Sequence, residues 1–343
     1  MASPNASEIV ATTLQDRSET LANNVIRNNA LLTRLNRRGR VKTFSGGRTI
    51  VRELTYANNQ TFQWYSGYQT LNISPSAVIS YAEYPIRQAA VAVSISGLEQ
   101  LQNSGDNALI DLLESRIENA EDTFQNGLSY YIYSDGSVTG SITGLGSLVS
   151  TAPSSGTVGG IDRSTWVFWQ NIAYSGLTNG GAAVSVANIQ QYMLAVWQQL
   201  VGAGGPTSQT DLIVADNNYW GLYHQSLVAI QRITDENGDM AKAGWRSLKY
   251  MNADVVLDGG FQGYSNETVA TIGFGTGGVN NGTGNMMYFL NTKFLFWQPH
   301  SDRNMTPLNP DRFSVNQDAM VKLVGFAGNL TMSNARAQGV LSA

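Results

Sequence analysis

The sequence predicts an α+β fold, and three patterns along the chain support this class. Apolar and polar residues alternate between Thr43 and Ile95, which is the period of a β-strand. Apolar residues then recur in steps of three and four through Ser96–Asp135, which predicts a long helix. Beyond Gly160, short apolar strands and amphipathic helices follow one another, which predicts a mixed second half.

The composition limits the possible functions. The chain has 343 residues, enough for two lobes with a large core. Charged residues make up only 13% of it, well below the usual share, while amides and 35 Gly are abundant. Such a composition suits a surface that is mostly covered by neighbours. The formal net charge of −4 argues against a nucleic-acid binder steered by global charge.

Residues 1–42 are predicted to form an N-terminal arm. The arm is polar with a weak helical pattern and ends in a basic run that contains Arg34, Arg37, Arg38 and Arg40. Such a run is often only a solvated charge cluster. The functional alternatives are contact with phosphates and pairing with an acidic face on a neighbouring molecule.

Residues 43–85 are predicted to form an extended β loop. One strand spans Thr49–Tyr56, a second segment continues it over Thr61–Tyr65, and Val78–Tyr84 returns. The loop carries several aromatic residues, among them Phe62, Trp64 and Tyr65. Because an isolated two-stranded ribbon is marginal in water, the loop either packs on its own domain or buries its aromatic residues against another subunit.

The segment Ser96–Asp135 is predicted to be helical and about 40 Å long over its main part. Ser96 and Glu99 form a capping-box pattern, and Asp106 can cap the second and longer of two helices. The polar faces of that helix are acidic and include Glu114, Glu118 and Glu121. A helix of this length needs a packing partner along its whole length.

The second half of the chain is predicted to be a sheet with two helices. Glycine-rich and amide-rich turns separate its elements. The predicted elements are a buried strand over Thr165–Trp169, a helix capped by Ser185, a strand over Asp211–Asp216, a helix over Tyr219–Ile233 and a returning strand within Phe313–Val340.

No motif in the sequence predicts a catalytic, cofactor or metal site. Gly273–Gly278 matches a dinucleotide-binding pattern, but turn residues follow where a helix is needed. Asp235–Asp239 begins like a calcium loop, but Met240 replaces the required Gly. The chain has no Cys and only two His, so a Ser–His–Asp enzyme would have to use His224 or His300. An enzyme of this kind is kept only as an alternative.

The order of these parts resembles the major capsid protein of tailed bacteriophages, the Hong Kong 97-type fold. The local sequence is most similar in Asp211–Val214 with the helix that follows, in Leu248–Asp258, and in Met287–Leu295 together with Val315–Ala319 and Gly328–Leu330. The resemblance implies an N-terminal arm (1–42), an extended loop (43–85), a peripheral domain (86–150 and 313–343) with a spine helix at 96–135, and an axial domain (151–312).

The resemblance also implies a function. Copies would assemble as hexameric and pentameric capsomers into an icosahedral shell around double-stranded DNA, within the virion. Scaffolding, portal and decoration proteins are possible partners, whereas no cofactor and no membrane are expected. Relatives that cross-link through a Lys of the loop offer no guide here, because no Lys lies between Lys42 and Lys242. The alternative is an encapsulin-like nanocompartment that encloses a cargo enzyme.

Ten residues are predicted to lie at contacts between subunits. The basic run is expected to face acidic helix faces of adjacent copies rather than DNA, because a covered ion pair is less screened by salt. The predicted contact residues are Arg34, Arg37, Arg38, Arg40, Phe62, Trp64, Tyr65, Glu114, Glu118 and Glu121.

Overall fold

The fold consists of two main sheets, two small ones and five helices in the described part of the chain. The computed structural model describes residues 29–98, 106–204, 209–228, 247–258, 285–313 and 319–343. The helices are α1 (Ala30–Arg37), α2 (Asp106–Tyr131), α3 (Leu145–Leu148), α4 (Ile189–Gly204) and α5 (Asn217–Val228). The strands are β1 (Thr49–Thr55), β2 (Ile79–Pro85), β3 (Arg87–Ser96), β4 (Thr157–Val158), β5 (Ile161–Asp162), β6 (Ile172–Ser175), β7 (Leu212–Ala215), β8 (Ser247–Tyr250), β9 (Ala253–Leu257), β10 (Met286–Leu290), β11 (Leu295–Phe313), β12 (Ala319–Met332) and β13 (Gly339–Ser342).

The first main sheet has three antiparallel strands in the order β11-β12-β3. Helix α2 packs beside β3 and buries Ile117, Phe124 and Leu128 in the larger of two hydrophobic cores. These three residues recur at helical spacing, so the periodicity that predicted the helix also identified its buried face.

Helix α2 is shorter at its C-terminal end than the sequence predicted. It ends at Tyr131, whereas the prediction extended to Asp135. The Tyr133 N–H bonds to the Tyr130 carbonyl at 3.1 Å, so the last turn tightens and the chain bends away. Gly97 and Leu98 are helical, but the predicted partner Glu99 lies outside the described residues.

The second main sheet has six strands in the order β6-β13-β10-β7-β9-β8. Strand β7 is buried at all four positions and lies between antiparallel β10 and parallel β9. Helices α4 and α5 supply Met193, Val196 and Tyr223 to the second hydrophobic core, against this sheet. The strand predicted over Asp211–Asp216 and the helix predicted after Ser185 are therefore both present.

The strand pairing bears on the domain division, which stays a prediction. Strand β11 was assigned mostly to the axial domain, yet it pairs along its length with β12 and so belongs to the three-stranded sheet. Conversely, β13 was assigned to the peripheral domain, yet it lies inside the six-stranded sheet between β6 and β10. The pairing supports domain boundaries near residues 295 and 335 instead of 313.

Two predicted strands are wrong. Thr61–Tyr65 forms no strand, and Val167–Trp169 is a 3-10 turn in which Val167 is exposed. The Asp162 carboxylate accepts hydrogen bonds from the Ser164 N–H at 2.9 Å and the Thr165 hydroxyl at 2.9 Å. These local side-chain bonds favour a turn over a strand.

Candidate assembly surface

Strands β1 and β2 form a ribbon, and its paired part (Thr49–Thr55 with Ile79–Pro85), which we call the foot, packs on its own chain. They pair antiparallel from Thr49 opposite Pro85 to Thr55 opposite Ile79. One face of the ribbon buries Ile50, Leu54 and Tyr84 in the larger core. The Tyr84 hydroxyl donates to the Met332 carbonyl at 2.9 Å, and burial raises the pKa of Tyr84.

Two further residues fix the foot of this ribbon. Gly159, at φ 59°, approaches so closely that a Cβ there would lie 2.9 Å from the Ala82 Cβ. The side chain of Asn329 is fully buried, accepts from the Thr143 N–H at 2.7 Å and donates to the Pro85 carbonyl at 2.8 Å. The sequence predicted no structural role for Asn329, because its partners are far away along the chain.

The tip of the ribbon, residues 57–78, presents apolar side chains to solvent. Trp64 is 88% exposed and Tyr68 is wholly exposed, and the Phe62 and Trp64 rings meet edge to face at 5.9 Å. No charged residue occurs between Glu53 and Glu83. The tip can therefore contact another molecule through aromatic and amide groups but not through ion pairs.

The sequence left two alternatives for this loop, packing on its own domain or contact with another subunit, and the two parts of the loop differ in this respect. The foot packs on its own chain, whereas Phe62, Trp64 and Tyr65 of the tip are exposed. Contact of these three residues with another subunit stays a prediction.

Helix α1 is buried within its own chain, and this corrects the prediction for Arg34. The Arg34 side chain is 6% exposed; its Nε lies 3.1 Å from the Asp211 carboxylate, and its guanidinium lies 3.4 Å from that of Asp254. The Asp211 carboxylate also accepts from the Thr292 N–H at 2.7 Å and from its hydroxyl at 2.6 Å. Arg34 therefore pairs with two carboxylates of its own subunit, and little of its side chain is left exposed for the predicted contact.

The remaining arginines of the basic run differ from one another. Arg38 also pairs with Asp211 of its own chain, at 3.4 Å, but its side chain is 43% exposed. Arg37 is exposed. Arg40 is half-buried, with its guanidinium carbon 5.3 Å from the centre of the Phe296 ring. A contact of Arg37, Arg38 or Arg40 with a neighbouring subunit remains a prediction.

The predicted acidic face of α2 is partly described. Glu118 and Asp122 are exposed and lie one turn apart, whereas Glu121 is half-buried. Glu114 lies in the same helix, but its side chain is outside the described part of the structure. Glu118 and Asp122 therefore form a small acidic surface on the side of α2 away from the core.

No protein-family model matches the sequence, and no curated protein matches it. Solved structures do. The cyanophage A-1(L) capsid asymmetric unit matches with a TM-score of 0.62 at 15% identity, covering 89% of this chain and 90% of that one. The capsid of a native GTA particle matches with a TM-score of 0.52 at 11% identity, covering 89% and 88%. The chain has the fold of phage capsid proteins.

This capsid fold confirms the predicted fold class and the resemblance noted from the sequence. A structure from Gordonia phage Cozz matches with a TM-score of 0.52 at 10% identity, covering 88% of this chain and 82% of that one. Each match spans most of both chains, so the likeness covers both main sheets and not a single lobe.

The candidate catalytic residues have structural contacts in this capsid fold. His224 stacks on Trp220 at 5.2 Å. His300 meets the Phe44 ring edge at 5.0 Å and accepts from the Asp302 N–H at 3.1 Å. Within the described residues, no group of three or more His, Asp or Glu could hold a metal ion, and no helix is long and apolar enough to span a membrane. Gly273–Gly278 and Asp235–Met240 lie outside the described part.

Proposed function

We propose that this chain is the major capsid protein of a tailed phage, and that many copies form an icosahedral shell around double-stranded DNA in the virion. The fold likeness to the cyanophage A-1(L) capsid asymmetric unit, with a TM-score of 0.62 over about nine tenths of both chains, carries this proposal. The role is structural and not catalytic. The similar structures named above come from phages and a GTA particle, which favours a capsid over a nanocompartment.

The exposed tip of the ribbon supports assembly on physical grounds. Trp64 is 88% exposed and gains little from its own chain. A buried aromatic side chain covers roughly 150–250 Å², so covering it contributes roughly 4–6 kcal/mol before the cost of ordering the tip. Contact with a second copy can supply this burial. Repeating one such contact around a ring builds hexameric and pentameric capsomers.

Further partners follow from the same proposal. A shell of this kind packages DNA through a portal, and scaffolding or decoration proteins are possible additions. The long helix α2 would serve as the spine of the peripheral domain, and the six-stranded sheet would form the axial domain at the capsomer centre.

Electron microscopy of the purified protein tests the proposed function. We expect closed shells or capsomer rings at high protein concentration, and nuclease-protected DNA in particles from infected cells. A protein that stays monomeric at all concentrations, with or without a co-expressed scaffolding protein, would count against it. Particles that enclose an enzyme instead of DNA would favour the nanocompartment.

A further inference from the structure

Three cationic side chains gather around a single ring, that of Phe296 at the start of β11. The Arg52 guanidinium carbon lies 4.0 Å from the ring centre, that of Arg40 lies at 5.3 Å and the Lys42 ammonium lies at 5.7 Å. Arg40 and Lys42 follow helix α1, and Arg52 belongs to the foot of the ribbon. We call Arg40, Lys42 and Arg52 the basic cluster.

The basic cluster has no carboxylate partner in the described part of the chain. The salt bridges formed there by nearby basic residues involve Arg34 and Arg38, not these three. Arg52 donates from Nε to the Gln298 side chain at 2.9 Å, but its Nη2 is buried without an acceptor. The Nε of Arg40 is likewise buried without an acceptor.

The basic cluster therefore concentrates positive charge without a counter-charge, at a place where Lys42 is exposed and Arg40 and Arg52 are half-buried. Like charges at this separation repel, and a buried guanidinium N–H without an acceptor keeps its full desolvation penalty. Burial lowers the pKa of Arg52; the charge of Arg40 adds to this lowering, and Tyr84 opposes it. Cation–π contact with Phe296 offsets only part of the cost.

Two kinds of anion are available in a capsid: phosphates of nucleic acid and carboxylates of another subunit. Nucleic-acid binding usually uses a basic stripe that follows the backbone over several phosphates. The basic cluster is compact instead, since all three cations surround one ring. The net charge of −4 also opposes attraction of DNA to the subunit as a whole.

A surface of opposite charge occurs on the chain itself. Glu118 and Asp122 are both exposed and lie one turn apart on α2. Two carboxylates at this spacing suit a cluster of three cations, and complementary charges fix the register between protein surfaces.

We propose that the basic cluster of one subunit binds Glu118 and Asp122 on helix α2 of a second copy of this chain. The inference rests on the proposed function, because it needs many copies to meet in a shell. The sequence had predicted such a contact for Arg34 and Arg40. Arg40 keeps this role in the proposal, whereas Lys42 and Arg52 take the place of Arg34, which pairs within its own subunit.

A charge exchange tests this contact. Lys42 is exposed, and no side-chain hydrogen bond of Lys42 occurs in the described part of the structure, so Lys42→Glu should leave the fold intact. We expect Lys42→Glu or Asp122→Lys alone to raise the protein concentration needed for assembly by about tenfold or more, since like charges then face each other. The double variant should restore assembly to within about threefold of the unmodified protein.

The controls separate this proposal from its alternatives. Arg303→Glu reverses an exposed arginine outside the basic cluster and should leave assembly nearly unchanged. Arg40→Gln removes a cluster charge without reversing it and should weaken assembly less than Lys42→Glu. Failure of the double variant to restore assembly would overturn the contact. Normal assembly of Lys42→Glu with reduced nuclease-protected DNA would assign the cluster to nucleic acid. Failure of the unmodified chain to assemble would instead count against the proposed function.

Discussion

At the scale of single residues, Asp216 shows how a buried carboxylate can join two elements. It is 1% exposed, accepts from the Tyr219 N–H at 2.6 Å and from the Met286 N–H at 3.1 Å. The first bond caps helix α5, and the second fixes the start of β10. Desolvation nevertheless outweighs these bonds and raises the pKa of Asp216 from 3.8 to about 6.

This raised pKa predicts a pH dependence of stability. The folded state binds the Asp216 proton more tightly than the unfolded chain does, so this group stabilises the fold below about pH 4 and loses that contribution as the pH rises through 6. The change is roughly 2–2.5 kcal/mol between pH 4 and pH 7. Unfolding free energies of the unmodified protein and Asp216→Asn, measured across this range, should diverge accordingly. A constant difference between the two proteins would contradict the prediction.

Arg34 gives a second prediction at this scale. Arg34→Met should lower the free energy of unfolding by roughly 3–5 kcal/mol, because Asp211 and Asp254 then stay buried without this counter-charge. Arg37→Ala, three residues along the same helix but exposed, should change it by less than about 0.5 kcal/mol. Denaturant titration measures both. Equal losses for the two variants would show that Arg34 has no special role in the fold.

The sequence held part of the information about Arg34. Leu31, Arg34 and Leu35 follow at helical spacing, so the periodicity places Arg34 on the apolar face of α1. The basic run was interpreted as one charged surface, which hid this position. The partner could not have been predicted, because Asp211 lies 177 residues away and local pattern carries no information about such pairs.

At the scale of elements, the ribbon was predicted well where its pattern is local. The alternation placed β1 within one residue of its observed end at Thr55, and the structure buries Ile50 and Leu54 on one face of that strand. The contact of the foot with Met332, through the Tyr84 hydroxyl, was not predictable, because Met332 comes from the other end of the chain. The tip was predicted to continue the strand, although Thr61–Tyr65 has no pairing partner among the residues that the structure describes.

The exposed tip of the ribbon predicts that substitutions there impair assembly but leave the stability of the single subunit unchanged. Trp64→Ala and Tyr65→Ala should impair particle formation while the free energy of unfolding stays within about 0.5 kcal/mol, since both side chains are exposed in the subunit. Trp169→Ala is the matched control, because Trp169 is 1% exposed and its loss should cost roughly 3–5 kcal/mol. Thermal unfolding and sedimentation distinguish the two outcomes. Unfolding of the Trp64→Ala subunit would show that the tip belongs to the fold of a single copy.

At the scale of the whole molecule, the last two strands join the two main sheets. Strand β12 lies in the middle of the three-stranded sheet, and β13 lies inside the six-stranded sheet. A single returning strand was expected in this region, because the alternation around Val321 and Leu323 does not reveal that the chain changes sheets. The consequence is that neither lobe is built from one continuous segment, so the two lobes should unfold together.

This connection predicts the effect of removing β13. Val340 and Leu341 are fully buried, and β13 separates β6 from β10, so deletion of Gly339–Ala343 leaves two unpaired strand edges inside the protein. The lost side-chain burial alone is worth roughly 3–6 kcal/mol, to which the lost strand pairing adds. We therefore expect the truncated chain to lose cooperative unfolding in both lobes, as measured by calorimetry. Deletion of Ala343 alone, which is exposed, should have a small effect. A truncated chain that melts at the temperature of the full chain would show that β13 is dispensable and that the two sheets are stabilised separately.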